Sequence, residues 1–452
     1  MEKNSGMFNF LHVSKWDLNP YQVLTLGFTV LIILGSVLLM LPIASTADTS
    51  MPFIDALFTA TSAVCVTGLV VVDVGNYFTL FGQFVILLLI QAGGLGVMTL
   101  TTLMAVVLGR RIQLRDRMLI QESLNCLDMK GVVRLVIYIT KVTFLIEFLG
   151  GTVLALRFAA DYGWTGIYYG YWHAVSAFCN AGFDVFGGTT LCGYVDDPVV
   201  TFTLAGLIVF GGIGFAVMED IWRNRSWRKI AVQTKVVLVT TIFLLALGTV
   251  GVFLLEYKNT TTIGNLSIAG KLLASFFQSV TARTAGFSMF DTGGLGDSAL
   301  VFMLILMFIG ASPGSTGGGI KTSTLAVIAA AIWSFIRGKD EVTLFNRAVA
   351  SETILKALAI FFLSATLVFF VTMYLCVAEN IPALKIVFEV VSAFATVGLS
   401  TGITPDLSSD GKFVLIIMML IGRVGVFTFA MSIALKKEKN KYHHPMGKFT
   451  IG

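Results

Sequence analysis

Charge is scarce in this chain. Of its 452 residues only 13% are Asp, Glu, Lys or Arg, while 56% are hydrophobic. So few charges cannot keep that much apolar surface in water, which excludes a soluble globular protein and makes lipid the solvent. The five cysteines, Cys65, Cys126, Cys179, Cys192 and Cys376, are scattered, odd in number and form no CxxC pair. Only 4 histidines occur, and His173 has no second histidine at a ligand spacing. A disulfide framework and a zinc site are both disfavoured. An intramembrane enzyme needs a nucleophile–base pair or a metal set, and no HExxH or comparable group is present, so the chain is read as no enzyme. The apolar segments hold few charges, namely Lys141, Glu147, Arg157, Lys321 and Arg423, with no paired acidic set to relay protons. That weighs against an ion-coupled secondary transporter of a small organic solute, which usually sets polar groups at the midplane. It stays as the alternative function.

What is abundant suits a bundle of membrane helices: 45 glycines and 37 phenylalanines, small residues allowing close backbone approach. The apolar run from Val23 to Ile43 reads as a span and not as a cleaved signal peptide. Outer helices are expected near 21–44, 133–156, 235–256 and 355–377, and inner helices near 77–108, 199–221, 299–336 and 412–435. The connections 109–134, 219–235 and 337–356 and the tail from Lys436 carry 6, 5, 4 and 5 lysines and arginines. The opposite connections 45–75, 161–200, 257–298 and 379–412 carry 0, 0, 3 and 2. The positive-inside rule puts the first set and both termini in the cytoplasm of a multi-pass cell-membrane protein. The net charge of +5 is thus a membrane signature, and no nucleic acid is implied.

One short pattern occurs four times: SAVCVTGL around Gly68, SAFCNAGF around Gly182, SVTARTAGF around Gly286 and SAFATVGL around Gly398. The glycines are 114, 104 and 112 residues apart, so the unit is a quarter of the chain. The reading is an all-α membrane protein with four M1–pore-loop–M2 repeats, pseudo-fourfold around a single ion pore. Its expected divisions are a cytoplasmic N-terminus 1–20, repeats 21–108, 109–221, 222–336 and 337–435, and a basic cytoplasmic tail 436–452.

Each loop opens with a short apolar stretch: Ile54–Ser62, Tyr168–Ser176, Ala269–Ser279 and Ala383–Ser392. A crossing helix needs roughly 20 residues, so these are half-crossing helices whose C-terminal ends favour a cation. The backbone beyond them must line a watery cavity at membrane depth. Small residues leave its carbonyls uncovered: Val66-Thr67-Gly68, Asn180-Ala181-Gly182, Thr284-Ala285-Gly286 and Thr396-Val397-Gly398. Each glycine can take φ values closed to other residues. Four such strands make rings of oxygens able to replace the hydration shell of an alkali cation.

This pattern resembles the Trk/Ktr/HKT superfamily of potassium transporters over nearly the whole length. The short termini and TARTAGF around Gly286 are most similar to the membrane subunit of the bacterial Ktr potassium uptake system. The resemblance implies a K+ site at Gly68, Gly182, Gly286 and Gly398. Leu69, Phe183, Phe287 and Leu399 follow them with no second glycine, unlike the GYG of a tetrameric channel, which implies a shorter, looser filter. Members with serine at the first position tend to pass sodium; glycine at all four favours potassium, with Na+ as a second candidate ion. The resemblance also implies a homodimer and a cytosolic ring of nucleotide-binding, KtrA-like regulatory subunits. The loops 109–134 and 219–235 and the basic tail are candidate docking surfaces for it, or plain positive-inside anchors.

A second repeat lies 25, 29, 24 and 24 residues beyond these glycines: Gly93-Gly94-Leu95-Gly96, Gly211-Gly212-Ile213-Gly214, Gly310-Ala311-Ser312 and Gly422-Arg423-Val424-Gly425. Small residues here either let helices cross closely or bend the pore below the filter. The third copy expands to Gly310-Ala311-Ser312-Pro313-Gly314-Ser315-Thr316-Gly317-Gly318-Gly319-Ile320-Lys321-Thr322, which excludes a continuous helix. It resembles the intramembrane loop that gates the pore in Ktr and Trk proteins. Gly314–Thr322 nearly matches a phosphate-binding loop, but Ile320 separates the last glycine from Lys321 and no strand precedes it; no nucleotide site is expected in this chain. Arg423 stands where the other copies have Gly94, Gly212 and Ala311. A cation at that depth restricts the pore or ties to a carboxylate or helix carbonyl. Arg283 is expected to point away from the filter and brace against Glu389 or Glu147. Asp73, Asp184 and Asp291 form an acidic vestibule or cap turns.

Overall fold

The computed structural model describes residues 19–433 except 48, 97, 98, 100, 101, 104, 105, 107–131, 188 and 189. The basic tail, most of the N-terminal segment and most of the connection 109–134 therefore lie outside the described residues. The chain runs through α1 (Pro20–Leu39), α2 (Phe53–Val64), α3 (Leu80–Leu95), α4 (Val132–Tyr162), α5 (Trp164–Phe178), α6 (Pro198–Gly212) and α7 (Phe215–Asn224). It continues through α8 (Val232–Glu256), α9 (Ile268–Thr281), α10 (Asp297–Phe308) and α11 (Thr322–Ile336). A two-stranded hairpin (β1 Thr343–Leu344, β2 Arg347–Ala348) precedes α12 (Ser351–Ala378), α13 (Ala383–Ala395), α14 (Ser409–Val424) and α15 (Val426–Ile433).

Local signals set the helix starts. Asn19 accepts from the Gln22 N–H at 2.8 Å and Gln22 Oε1 accepts from the Asn19 N–H at 3.0 Å, a capping box with Pro20 at the first position of α1. Asp197, Ser267 and Ser408 cap α6, α9 and α14 by accepting from backbone N–H groups of the first turn, without the reciprocal bond. Phe345 and Asn346 both take left-handed φ, the conformation a two-residue hairpin turn requires.

α1, α4, α8 and α12 are long and apolar enough to cross a membrane, or up to six spans if α6–α7 and α14–α15 each count as one. Their outward side chains, such as Ile33, Leu34 and Val37 on α1 and Phe369, Phe370 and Val377 on α12, are exposed. An apolar outer face fits lipid, not water. The short helices α2, α5, α9 and α13, of 12, 15, 14 and 13 residues, lie inside instead. Phe58, Phe178, Phe277 and Phe388 on them are fully buried. α4 packs along α5, α8 along α9, α1 along α2 and α12 along α13, so each long helix backs a short one.

None of the four expected inner helices is continuous. α3 stops at Gly96, whose φ is +84°. α6 and α7 meet at 95° around Gly214, and α14 and α15 at 101° around Gly425, where φ is +97° and +94°. A left-handed residue ends a helix, and glycine enters that region without a Cβ penalty. Between α10 and α11 the chain leaves helix altogether, as Pro313 and the glycines require.

Candidate functional site

The C-terminal ends of α2, α5, α9 and α13 lead straight into the four glycine loops. In every loop the residue two before the glycine is left-handed: Val66 (φ 56°), Asn180 (59°), Thr284 (70°) and Thr396 (51°). The glycines are left-handed too, at 94°, 70°, 78° and 90° for Gly68, Gly182, Gly286 and Gly398. Thr67, Ala181, Ala285 and Val397 between them are not, so the sign of φ runs positive, negative, positive through each loop. Asn tolerates the left-handed region, but β-branched Val66, Thr284 and Thr396 are strained there. Strain recurring at one register marks a function.

The loops are neighbours in cyclic order. A Cβ on Gly68 would lie 2.6 Å from the Ala181 carbonyl oxygen, on Gly182 2.6 Å from that of Ala285, and on Gly286 2.8 Å from that of Val397. One on Gly398 would strike the Thr67 carbonyl, closing the circle. Only glycine lets each limb approach the carbonyl of the next.

Main-chain donors fix the limbs from behind. The N–H groups of Thr67, Ala181 and Val397 reach the carbonyls of Ser62, Ser176 and Ser392, each at 2.8 Å. The serine hydroxyls act as well: Ser62 and Ser392 accept from the Gly68 and Gly398 N–H at 3.1 and 3.0 Å. Ser176 donates to the Phe183 carbonyl at 2.8 Å, and in the third loop Thr281 donates to that of Phe287 at 2.6 Å. These hydroxyls escaped the sequence reading, although serine opens each quoted motif six or seven residues before its glycine. Glu389, fully buried on α13, accepts from Ser400, from the Thr401 N–H at 3.2 Å and from Thr404 Oγ1 at 3.2 Å.

Below the loops, inner-helix glycines abut the short helices. A Cβ on Gly93, Gly211 or Gly422 would strike the carbonyl of Val64, Phe178 or Phe394. The first glycine of these three groups permits close crossing, and Gly96, Gly214 and Gly425 break the helix.

The segment Gly310–Lys321 lies among these ends and is bonded throughout. The Ser312 and Thr316 N–H groups donate to the carbonyls of Gly212 and Gly211 at 3.0 and 3.2 Å, and the Phe215 N–H donates to that of Gly314 at 2.9 Å. The loop thus takes up groups freed where α6 breaks. Lys321 Nζ donates to the Gly317 carbonyl at 2.7 Å. Arg423 donates to the carbonyls of Thr316 and Gly93, and to that of Gly94 at 3.1 Å. Pro313, Gly314, Ser315, Lys321 and Arg423 line a cavity of about 500 Å³ together with Gly94–Gly96.

Arg283 departs from expectation. It is buried, but its Nε has no partner and no ion pair forms with Glu389 or Glu147. Both carboxyls are engaged elsewhere, Glu389 by its own loop and Glu147 by Gln91 Nε2 at 3.4 Å. Asp73 and Asp291 cap turns, accepting from the Gly75 and Gly293 N–H groups at 2.9 Å each. Asp184, in the loop beyond Gly182, is different: burial, with Asp73 beside it, pushes its carboxyl up to about 6.

A family model described as TrkH, a cation transport protein, matches residues 17–444. The chain is 46% identical over 442 residues to the Ktr system potassium uptake protein B of Bacillus subtilis, covering 97% of this chain and 98% of that protein. It is 44% identical over 418 residues to the protein of the same name from Vibrio alginolyticus, covering 91% of each. Identity to the potassium/sodium uptake protein NtpJ of Enterococcus hirae is 39% over 442 residues, covering 96% and 98%. The fold is similar to the crystal structure of the potassium transporter TrkH from Vibrio parahaemolyticus, with a TM-score of 0.73 at 19% identity over 92% of this chain and 85% of that one.

Proposed function

The chain belongs to the TrkH family of cation transport proteins, and from that premise we propose that it takes potassium into the cell through a filter formed by its four glycine loops. It is a membrane protein of the Ktr/Trk kind and a potassium-uptake transporter. The observation that carries the filter reading is the closed circle in which each glycine faces the carbonyl before the next. Alternating the sign of φ turns successive peptide planes over, so the carbonyls of each limb gather on one side instead of alternating as in a β-strand. Four limbs then present rings of oxygens to the axis, with four helix C-termini aimed at it. The four units act as pseudo-fourfold repeats around one pore.

The loop Gly310–Gly319 with Arg423 is the gate. It lies under the circle, is rich in glycine, and is held by hydrogen bonds that can be exchanged for water as it moves. Arg423 adds a positive charge to the pathway. Potassium is the main ion, and sodium a second one, as the potassium/sodium name of the Enterococcus relative suggests. The chain works as a homodimer under a cytosolic nucleotide-binding ring, with both termini in the cytoplasm; the "system" in the relatives' names supports a partner subunit.

Rubidium uptake into liposomes holding only the purified chain tests the transport reading. Uptake that potassium suppresses is expected. Uptake indifferent to potassium would contradict it.

A further inference from the structure

The intramembrane loop is fastened to the filter itself as well as to Arg423. The Gly318 N–H donates to Thr396 Oγ1 at 3.1 Å, and both groups are buried. Gly317 backs onto the third limb, where a Cβ would strike Thr284 Oγ1; a Cβ on Gly318 would strike Thr396 Oγ1. Thr316 Oγ1 donates to the Phe178 carbonyl at the end of α5 at 3.3 Å.

The four residues at this register are not equivalent. Val66 has no hydroxyl. Asn180 and Thr284 face each other at 3.3 Å. Thr396 alone among them bonds the loop backbone, and it does so from a left-handed φ of 51° two residues before Gly398. Its conformation and its hydroxyl therefore serve the filter and the loop at once.

Resting on the filter-and-gate reading above, we infer that Thr396 is a positioning residue that couples the two, its hydroxyl seating the loop against the fourth filter limb. A limb that shifts when an ion enters loosens this grip, and a loop that leaves frees the limb. By linkage the effect is reciprocal: what seats the loop changes ion affinity, and ion occupancy changes loop position. The hydrogen bond is buried, so in the seated state water does not replace it.

Rubidium uptake into liposomes, measured for paired variants, tests this. Thr396→Val keeps the shape and removes the acceptor, and is expected to raise the initial rate about two- to tenfold, the range one lost hydrogen bond gives. Thr396→Ser, which keeps the acceptor, should remove most of that difference. In a chain lacking Gly314–Gly319, Thr396→Val should add nothing. An effect of Thr396→Val that is equal with and without the loop, or an unchanged rate in the intact chain, would overturn the coupling. Should the deleted chain fail to insert, Gly318→Ala replaces it, since its Cβ meets the Thr396 hydroxyl. The Gly318→Ala and Thr396→Val effects are expected to be non-additive, and simple additivity would overturn the inference. Potassium-sensitive uptake by the unmodified chain in the same vesicles tests the transport reading separately.

Discussion

The guanidinium of Arg423 donates to the main-chain carbonyl of Thr316, and with its other nitrogen to the carbonyls of Gly93 and Gly94. One side chain from α14 thus ties the intramembrane loop to the last turn of α3. The Gly93 and Gly94 carbonyls lie at a helix end, where an arginine favourably fills orphan acceptors. Of the two expectations for Arg423, the helix-carbonyl tie is observed, and the pore-restricting charge belongs to the proposed gate. Arg423→Ala releases the loop and removes the charge, so rubidium flux should rise several-fold in liposomes. Hydrogen bonds to a charged group are worth about 1.5–3 kcal/mol each, so the variant should also unfold at a lower temperature in detergent. Lower stability with unchanged flux would make Arg423 a packing residue only.

Two glycines on inner helices make opposite predictions. At Gly422 a Cβ would strike the Phe394 carbonyl, whereas at Gly206 nothing lies within 4 Å. Gly422→Ala should destabilise the protein by roughly 1–3 kcal/mol, the usual cost of overpacking. Gly206→Ala, within α6, should be neutral or stabilise by about 0.5–1 kcal/mol. Thermal unfolding of the two variants in the same detergent compares them directly, and equal effects would mean the close crossing is not limiting.

At Gly68, φ is +94° and the neighbouring Ala181 carbonyl leaves no room for a Cβ. Gly68→Ser should distort the ring and lower the preference for potassium over sodium by about tenfold, the equivalent of 1.4 kcal/mol. Competition of sodium against rubidium uptake reads this out. Unaltered selectivity would remove Gly68 from the filter.

The Asp184 carboxyl, raised to about 6, is ionised at pH 7 and protonated below its own value. In the proposed filter Asp184 stands two residues beyond Gly182, so its negative charge is present at neutral pH and is lost as the pH falls through 6. A negative mouth concentrates cations, so uptake at low potassium should fall between pH 7 and pH 5, and less so at saturating potassium. Asp184→Asn should show the lower rate at pH 7 and a flatter profile. A profile identical to that of the unmodified chain would exclude Asp184 as the cause.

The helices and the loop glycines were legible because both depend on local signals: apolar length, and a residue that tolerates positive φ. All four short helices and all four long ones appear on the apolar runs, with ends up to about six residues from those expected. The breaks at Gly96, Gly214 and Gly425 were only half legible, since glycine in a helix pattern signals a crossing or a bend equally well. The carboxylate partner expected for Arg283 is not found, because Ser400, Thr404 and Gln91 engage Glu389 and Glu147 through tertiary contacts that no spacing reveals. The Ser62, Ser176 and Ser392 anchors were legible in principle, as they recur at one offset from each glycine. Thr281 replaces them in the third loop, and that exchange depends on where the hydroxyl reaches.

The central claim is that the carbonyls of Thr67, Ala181, Ala285 and Val397 surround a cation. A crystal of the protein grown with rubidium and measured for anomalous scattering tests it most directly. The account predicts anomalous density on the axis between those four carbonyl oxygens, reduced when potassium replaces rubidium. Ordered rubidium elsewhere in the membrane region, with none inside that ring, would contradict it.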